Sequence, residues 1–261
     1  MAESDAPKMP MFYRAPVVLS GPEHGHLAVS RKRNYAFCAK VNSIPIVLNE
    51  VPRVIGHYPV AFTLGDEPML MAIVGARNDE NLFVDEQGNW EPGRYIPAYV
   101  RRFPFVLMDP PDHNFRLAAE LESGFFSLEG DRLFENGRPT QYAADVFRFC
   151  MELQQAFEPT RRFCQEVHKK GLLKPKRSLM TTPSGHTFNV TGFAGLDLDD
   201  LNQLDNRTAN QWRRDGWLAA LYWHVGSLEQ LGSYPVRLDE VLRNGAKTGI
   251  TEDNVVHVRA E

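Results

Sequence analysis

Net charge, cysteine and long apolar runs are all scarce in this chain. Its 29 basic residues stand against 33 acidic ones, a net charge of −4, which argues against nucleic acid or an anionic membrane surface as the main partner. Three cysteines, Cys38, Cys150 and Cys164, are too few and too scattered for a disulfide framework. The last two fall in helical text, where a free thiol serves as a small apolar side chain. No apolar stretch reaches the roughly 18 residues of a membrane span. The start, MAESDAPKMPMFY, lacks the basic region and apolar core of a secretory signal. The expectation is a cytoplasmic protein, with export by a route that needs no such signal left open.

Recognisable chemistry is equally sparse. There is no G-x-S-x-G elbow, no phosphate-binding loop of the Walker or G-x-G-x-x-G kind, and no cysteine in a nucleophile motif. His24-x-His26 is the only close histidine pair, and it sits in a Gly/Pro loop without a nearby cysteine, so no metal site is assigned. Asp197, Asp199, Asp200 and Asp205 invite a calcium reading, but Leu201 stands where a loop ligand belongs and no glycine follows at the required offset. Capping of helix N-termini explains that cluster more simply. His224 lies on an apolar helix face and reads as a satisfied core histidine. No cofactor is implied. The reading leans away from an enzyme.

What the chain does have is an aromatic, arginine-rich segment, Arg94 to Met108, RYIPAYVRRFPFVLM. Tyr95, Tyr99 and Phe103 recur every four residues, which would stack them along a short helix. Pro97 suits its first turn, and Pro104 ends it. Phe105 to Met108 reads as a buried strand. Arg94, Arg101 and Arg102 beside Tyr95 and Tyr99 are the candidate ligand-binding residues, able to grip a carboxylate or phosphate against an aromatic wall. The simpler reading is that the same arginines neutralise a helix C-terminus and lie over the rings.

Around that segment the period of the apolar residues changes once. Before Pro139 it is mostly two: strands are expected at Tyr35–Ala39, Ile44–Leu48, Tyr58–Leu64, Met69–Gly75, Asn81–Val84 and Phe115–Leu121, with a hairpin pairing 125–128 with 132–134. Asn136-Gly137 is a strong turn. After it, helical spacing predicts a core helix over 140–157, a second opened by Pro159, one capped by Asp197 or Asp199 that carries Trp212, and one capped by Asp215 that carries Trp217, Leu221 and His224. A hairpin flanks Thr182-Pro183-Ser184-Gly185. The whole reads as α+β, a mainly antiparallel sheet from the N-terminal half with helices of the C-terminal half packed on it. Residues 1–11 are assigned to a tail, 12–238 to one domain (sheet-rich 12–138, helix-rich 139–238) and 239–261 to a mobile tail with a short strand near Val255.

The order of these pieces resembles the bacterial SapC family. The matching residues are Phe12-Tyr13, Pro16-Val17 and Leu19, then Pro52-Arg53 with His57-Tyr58-Pro59-Val60. Tyr95-Ile96-Pro97-Ala98-Tyr99-Val100-Arg101-Arg102-Phe103-Pro104-Phe105 is the most specific piece. Leu133-Phe134 before Gly137, and Gly216-Trp217-Leu218 leading to His224 and Ser227-Leu228, complete the series. The family takes its name from a protein associated with a paracrystalline bacterial surface layer. The resemblance implies an accessory protein working through contacts with a protein partner, and it brings no catalytic residues. The alternative is a module that binds a small anionic ligand or a peptide at the arginine-tyrosine cluster. The sequence leaves the oligomeric state open.

Overall fold

A computed structural model describes residues 9–109, 114–244 and 255–257. The expected tails at residues 1–8, 245–254 and 258–261 lie outside the described residues. The chain is α+β, with sheets drawn mainly from the first half and helices from the second. By backbone contacts it divides into two compact units, one formed by residues up to 33 together with 101–154, the other by 34–100 together with the chain from 155.

In the first unit, strand Phe105–Met108 pairs antiparallel with Arg116–Ala119, whose other edge takes Val17–Val18. Phe105, Ala119, Leu133, Phe134, Ala143 and Cys150 form its buried cluster. The hairpin expected from 125–128 and 132–134 is a different structure. Phe126–Ser127 and Asp131–Arg132 do not pair with each other; both pair with Ala28–Val29, which lies between them. Gly130 makes this approach feasible: its φ is +132°, and a Cβ there would stand 2.1 Å from the Val29 carbonyl oxygen. The Asn136-Gly137 turn joins Phe134–Glu135 to Arg138–Pro139 as the dipeptide predicts.

In the second unit the sheet runs in the order Lys174–Thr181, Thr187–Gly195, Val60–Thr63, Leu70–Ile73, Ser43–Pro45. Val255–His257 pairs parallel with Thr187–Gly195. Ile44, Tyr58, Phe62, Met71, Ile73, Phe163, Phe193 and Leu196 are fully or almost fully buried. Two expected strands are absent. Residues 36–38 form a 3-10 turn, because the Asn34 side chain accepts from the Ala36 N–H and closes the backbone locally. At 81–84 a single bridge, Val84 to Trp90, replaces a strand.

The helices depart from the sequence reading in four ways. Gln141–Lys169 is one helix running through Pro159, where two were expected. A proline in a helix interior costs roughly 3 kcal/mol. Burial of Phe163, Cys164 and Val167 beyond it, at about 1.5–3 kcal/mol for each large side chain, outweighs that. The helix expected from Asp197 through Trp212 is two, Leu198–Asn202 and Asn206–Arg214. The break falls at Asp205, whose extended backbone lets its carboxylate accept from the Thr208 N–H at 2.9 Å. Trp217–Ser227 begins at Gly216, φ +76°, and not on an Asp215 cap. A last helix, Tyr234–Asn244, covers 239–244, where the tail was expected to begin.

Candidate functional site

The five candidate residues divide between the two units. Arg94, Tyr95 and Tyr99 belong to the second, Arg101 and Arg102 to the first. Only Ala98–Arg101 is helical, so Tyr95 and Phe103 fall outside the helix and the expected ring stack does not form. Each ring takes its own partner instead.

In the second unit, Arg94 donates through Nε to Glu91 at 3.1 Å, with its guanidinium 5.6 Å from the centre of the Phe83 ring. Arg237, from helix Tyr234–Asn244, arrives at the same two groups. It donates to both Glu91 oxygens, at 2.5 and 3.2 Å, and lies 4.7 Å from the Phe83 centre. Burial disfavours the Glu91 charge, but the bonds from Arg237 and Arg94 more than offset it and hold the carboxyl below the usual range. Burial, aided by the Arg94 charge, lowers the pKa of His57 nearby. Nothing in the sequence flagged Glu91 or Arg237; an i,i+3 pairing of Glu91 with Arg94 was the one available signal.

Tyr95 and Ala98 converge on a residue the sequence reading passed over. Glu50 is 3% exposed, and its Oε1 accepts from the Tyr95 hydroxyl at 2.8 Å and the Ala98 N–H at 2.7 Å. Its Oε2 accepts from the Val47 N–H at 3.2 Å. Three donors at one buried carboxylate are what a buried charge requires. Tyr58 adds a second tie, donating to the Tyr95 carbonyl at 2.7 Å and accepting from the Trp90 indole at 2.9 Å. Tyr99 meets Phe157 edge-on, 6.4 Å between centres.

In the first unit, exposed Arg101 lies 5.1 Å from the centre of Phe149, and buried Arg102 lies 5.4 Å from that of Tyr13. Phe103 packs on Tyr13 and, edge-on, on Phe125. Glu120 has a role in this unit like that of Glu50 in the other: buried, it accepts from the Arg14 and Ala15 N–H groups at 2.7 and 3.0 Å and fixes the N-terminal arm.

The remaining polar candidates are internal ties. His224 is buried, its Nδ1 2.7 Å from the Val60 carbonyl oxygen and its Nε2 accepting from the Leu196 N–H at 3.3 Å. Nδ1 therefore carries the proton and Nε2 the lone pair. Desolvation pulls its pKa down to about 4. His24 Nδ1 accepts from the Ser20 N–H at 3.1 Å, closing its own turn. Asp197 pairs with Lys174 and Lys176, Asp200 with Lys174, and Asp205 with Lys170. Among the described residues no group of three or more His, Cys, Asp or Glu is placed to hold a metal ion. The three cysteines are buried, and burial raises each thiol pKa. Among the described residues no helix is long and apolar enough to cross a membrane.

The fold and these sites define an α+β protein whose polar side chains hold distant segments together. The SapC family model matches residues 19–233, and the chain belongs to that family. No curated protein and no solved structure matches it.

Proposed function

We propose that the chain is a non-catalytic bacterial accessory protein of the SapC type, linked through its family to the surface layer and working by protein–protein contacts. The observation that supports this reading best is helix Trp217–Ser227. It carries no Asp, Glu, Lys or Arg, yet Tyr222 and Trp223 on its outer side are 43% and 40% exposed. A helix that is apolar all round is ordinarily covered by protein, and an exposed aromatic face marks a contact surface. In-cell crosslinking followed by surface-layer fractionation tests it. The expected result is a crosslinked protein partner that co-fractionates with the layer. Recovery of the chain alone, away from the layer, counts against it.

A second reading is favoured by the convergence of Arg94 and Arg237. With Glu91 they leave one surplus positive charge over the Phe83 ring, in side chains 22–33% exposed. Such a pair suits a carboxylate or phosphate, and on this reading Tyr95 and Tyr99, in the same unit, contribute to ligand binding. Titration with a small dicarboxylate or inorganic phosphate, read by calorimetry, tests it. Heat lost in Arg94→Ala and Arg237→Ala supports it, and the absence of heat in the wild type removes it.

A further inference from the structure

We infer that helix Trp217–Ser227 is the seat of a symmetric dimer, in which a second copy of this chain lays the same helix antiparallel across it. This rests on the contact face proposed above and names its occupant as a second copy of the chain, so that a dimer found away from the surface layer would leave the pairing standing and remove only the link to the layer. The helix has two faces. Trp217, Ala220, Leu221, His224 and Ser227 are buried, and Ser227 Oγ accepts from the Val60 N–H at 2.9 Å while His224 meets Phe62 edge-on. Ala219, Tyr222, Trp223 and Gly226 make the opposite stripe, at spacings of three and four, and all four are exposed.

Three features of that stripe select a second copy over another occupant. The first is shape. Gly226 is open: a Cβ built on it meets no atom within 4 Å. Two such stripes placed antiparallel set Ala219 of one against Gly226 of the other, small against small, with Tyr222 and Trp223 of both at the axis. Closely packed helices need such small residues flanking the large ones, and an isologous contact needs one surface to complement itself. The second is charge. Exposed Arg213 and Arg214 stand just before the helix and exposed Glu229 just after it. Antiparallel pairing brings the basic end of each copy to the acidic end of the other, twice. Asp215, also at the basic end and hydrogen-bonded to Gln211 at 2.9 and 3.0 Å, keeps its charge, so that end carries a net charge of +1 from Arg213, Arg214 and Asp215 against −1 from Glu229. The third is polar satisfaction. The Tyr222 hydroxyl is bonded to Asn202 at 3.2 Å, so its ring can be covered without stranding the oxygen. Leu198, 45% exposed and one turn before Asn202 on the same helix face, extends the apolar area.

Sedimentation equilibrium of the full chain at about 100 μM tests this, a concentration at which a Kd of ~10 μM or tighter keeps most copies paired. The wild type is expected to be a dimer. Trp223→Glu is expected to weaken pairing at least about tenfold, as loss of a central aromatic does. Gly226→Leu is the control against misfolding, since the added side chain starts in open space within its own chain; it should give a monomer with an unchanged circular dichroism spectrum. Glu229→Arg should weaken the dimer, and adding Arg213→Glu with Arg214→Glu should restore it. A monomeric wild type overturns the inference. So does a dimer that survives both Trp223→Glu and Gly226→Leu, or a monomer that instead buries Trp223 in phosphatidylcholine vesicles, as judged by fluorescence.

Discussion

Acidification offers a direct test of how His224 is held. In the folded chain its ring is completely buried, with Nδ1–H donated to the Val60 carbonyl and Nε2 accepting from Leu196. Burial favours the neutral ring and lowers its pKa from 6.5 to about 4, and the nearby Lys176 charge acts in the same direction. In the unfolded chain the ring titrates near 6.5. The unfolded state therefore takes up the proton first as pH falls. The stability that the neutral ring contributes is complete above about pH 6.5, declines between 6.5 and 4, and is gone below that. At about 1.4 kcal/mol per pH unit, a gap of about 2.5 pH units corresponds to roughly 3 kcal/mol. Carboxylates also titrate toward pH 4, so the measurement is a difference. Urea unfolding free energies of the wild type and His224→Gln are compared from pH 7.5 to 4. At neutral pH the variant should be less stable by about 2–4 kcal/mol, since two buried backbone groups lose their fitted partner. On acidification that deficit should shrink by about 3 kcal/mol, because only the wild type has the histidine to protonate. A deficit that stays constant across the range would refute the reasoning, and with it the tautomer assigned here.

Glu50→Ala should destabilise by about 3–5 kcal/mol, since it strands three donors in a buried site, and Glu50→Gln by about 1–3, since one of its two oxygens becomes a donor facing the Val47 N–H. Chemical denaturation followed by circular dichroism measures both; a neutral Glu50→Gln would show that the carboxylate is not what these groups bind. Phe163→Ala removes a ring packed between Phe62 and Trp217 and should cost about 3–5 kcal/mol by the same assay. Arg237→Ala should raise the pKa of Glu91, leaving only Arg94 to oppose its burial. Carbon-detected NMR titration of that carboxyl reads the change, and an unmoved pKa would mean that the Arg237 contact is not maintained in solution.

How much of this was legible in the sequence depended on whether a residue's partner was near it in the chain. The hairpin of Lys174–Thr181 with Thr187–Gly195 was readable because alternation and a Thr-Pro-Ser-Gly turn lie side by side. The Asn136-Gly137 turn was readable for the same reason. The face of Trp217–Ser227 that carries Leu221 and His224 followed from helical spacing alone. Where the partner was distant, the local signal misled. Pro159 reads as a break that opens a second helix because local propensity weighs against it inside one, whereas the burial of Phe163 and Val167 that keeps the helix going is a tertiary fact. Phe126–Ser127 and Asp131–Arg132 look like neighbours in sequence. The Ala28–Val29 strand between them comes from about a hundred residues earlier in the chain.

The same distinction separates the candidate site from the groups that hold the fold. Arginines beside tyrosines draw attention because their chemistry is visible at a glance, and Arg94, Arg101 and Arg102 do sit against aromatic rings. The carboxylates of Glu50 and Glu120 gave no such signal. Apart from the Tyr95 hydroxyl at Glu50, their partners are backbone N–H groups, which every residue but proline has, so no pattern of side chains announces the pairing. Arg237 was hidden differently: one arginine in an amphipathic helix is indistinguishable from a solvated one until the fold carries it to Glu91. The exposed stripe of Ala219, Tyr222, Trp223 and Gly226 was in plain view, but spacing alone could not say that it faces outward. A helix apolar on both sides leaves that to be decided by which side the sheet covers. The ties from His224 and Ser227 to Val60 fix that choice, and they leave Ala219, Tyr222, Trp223 and Gly226 on the exposed side.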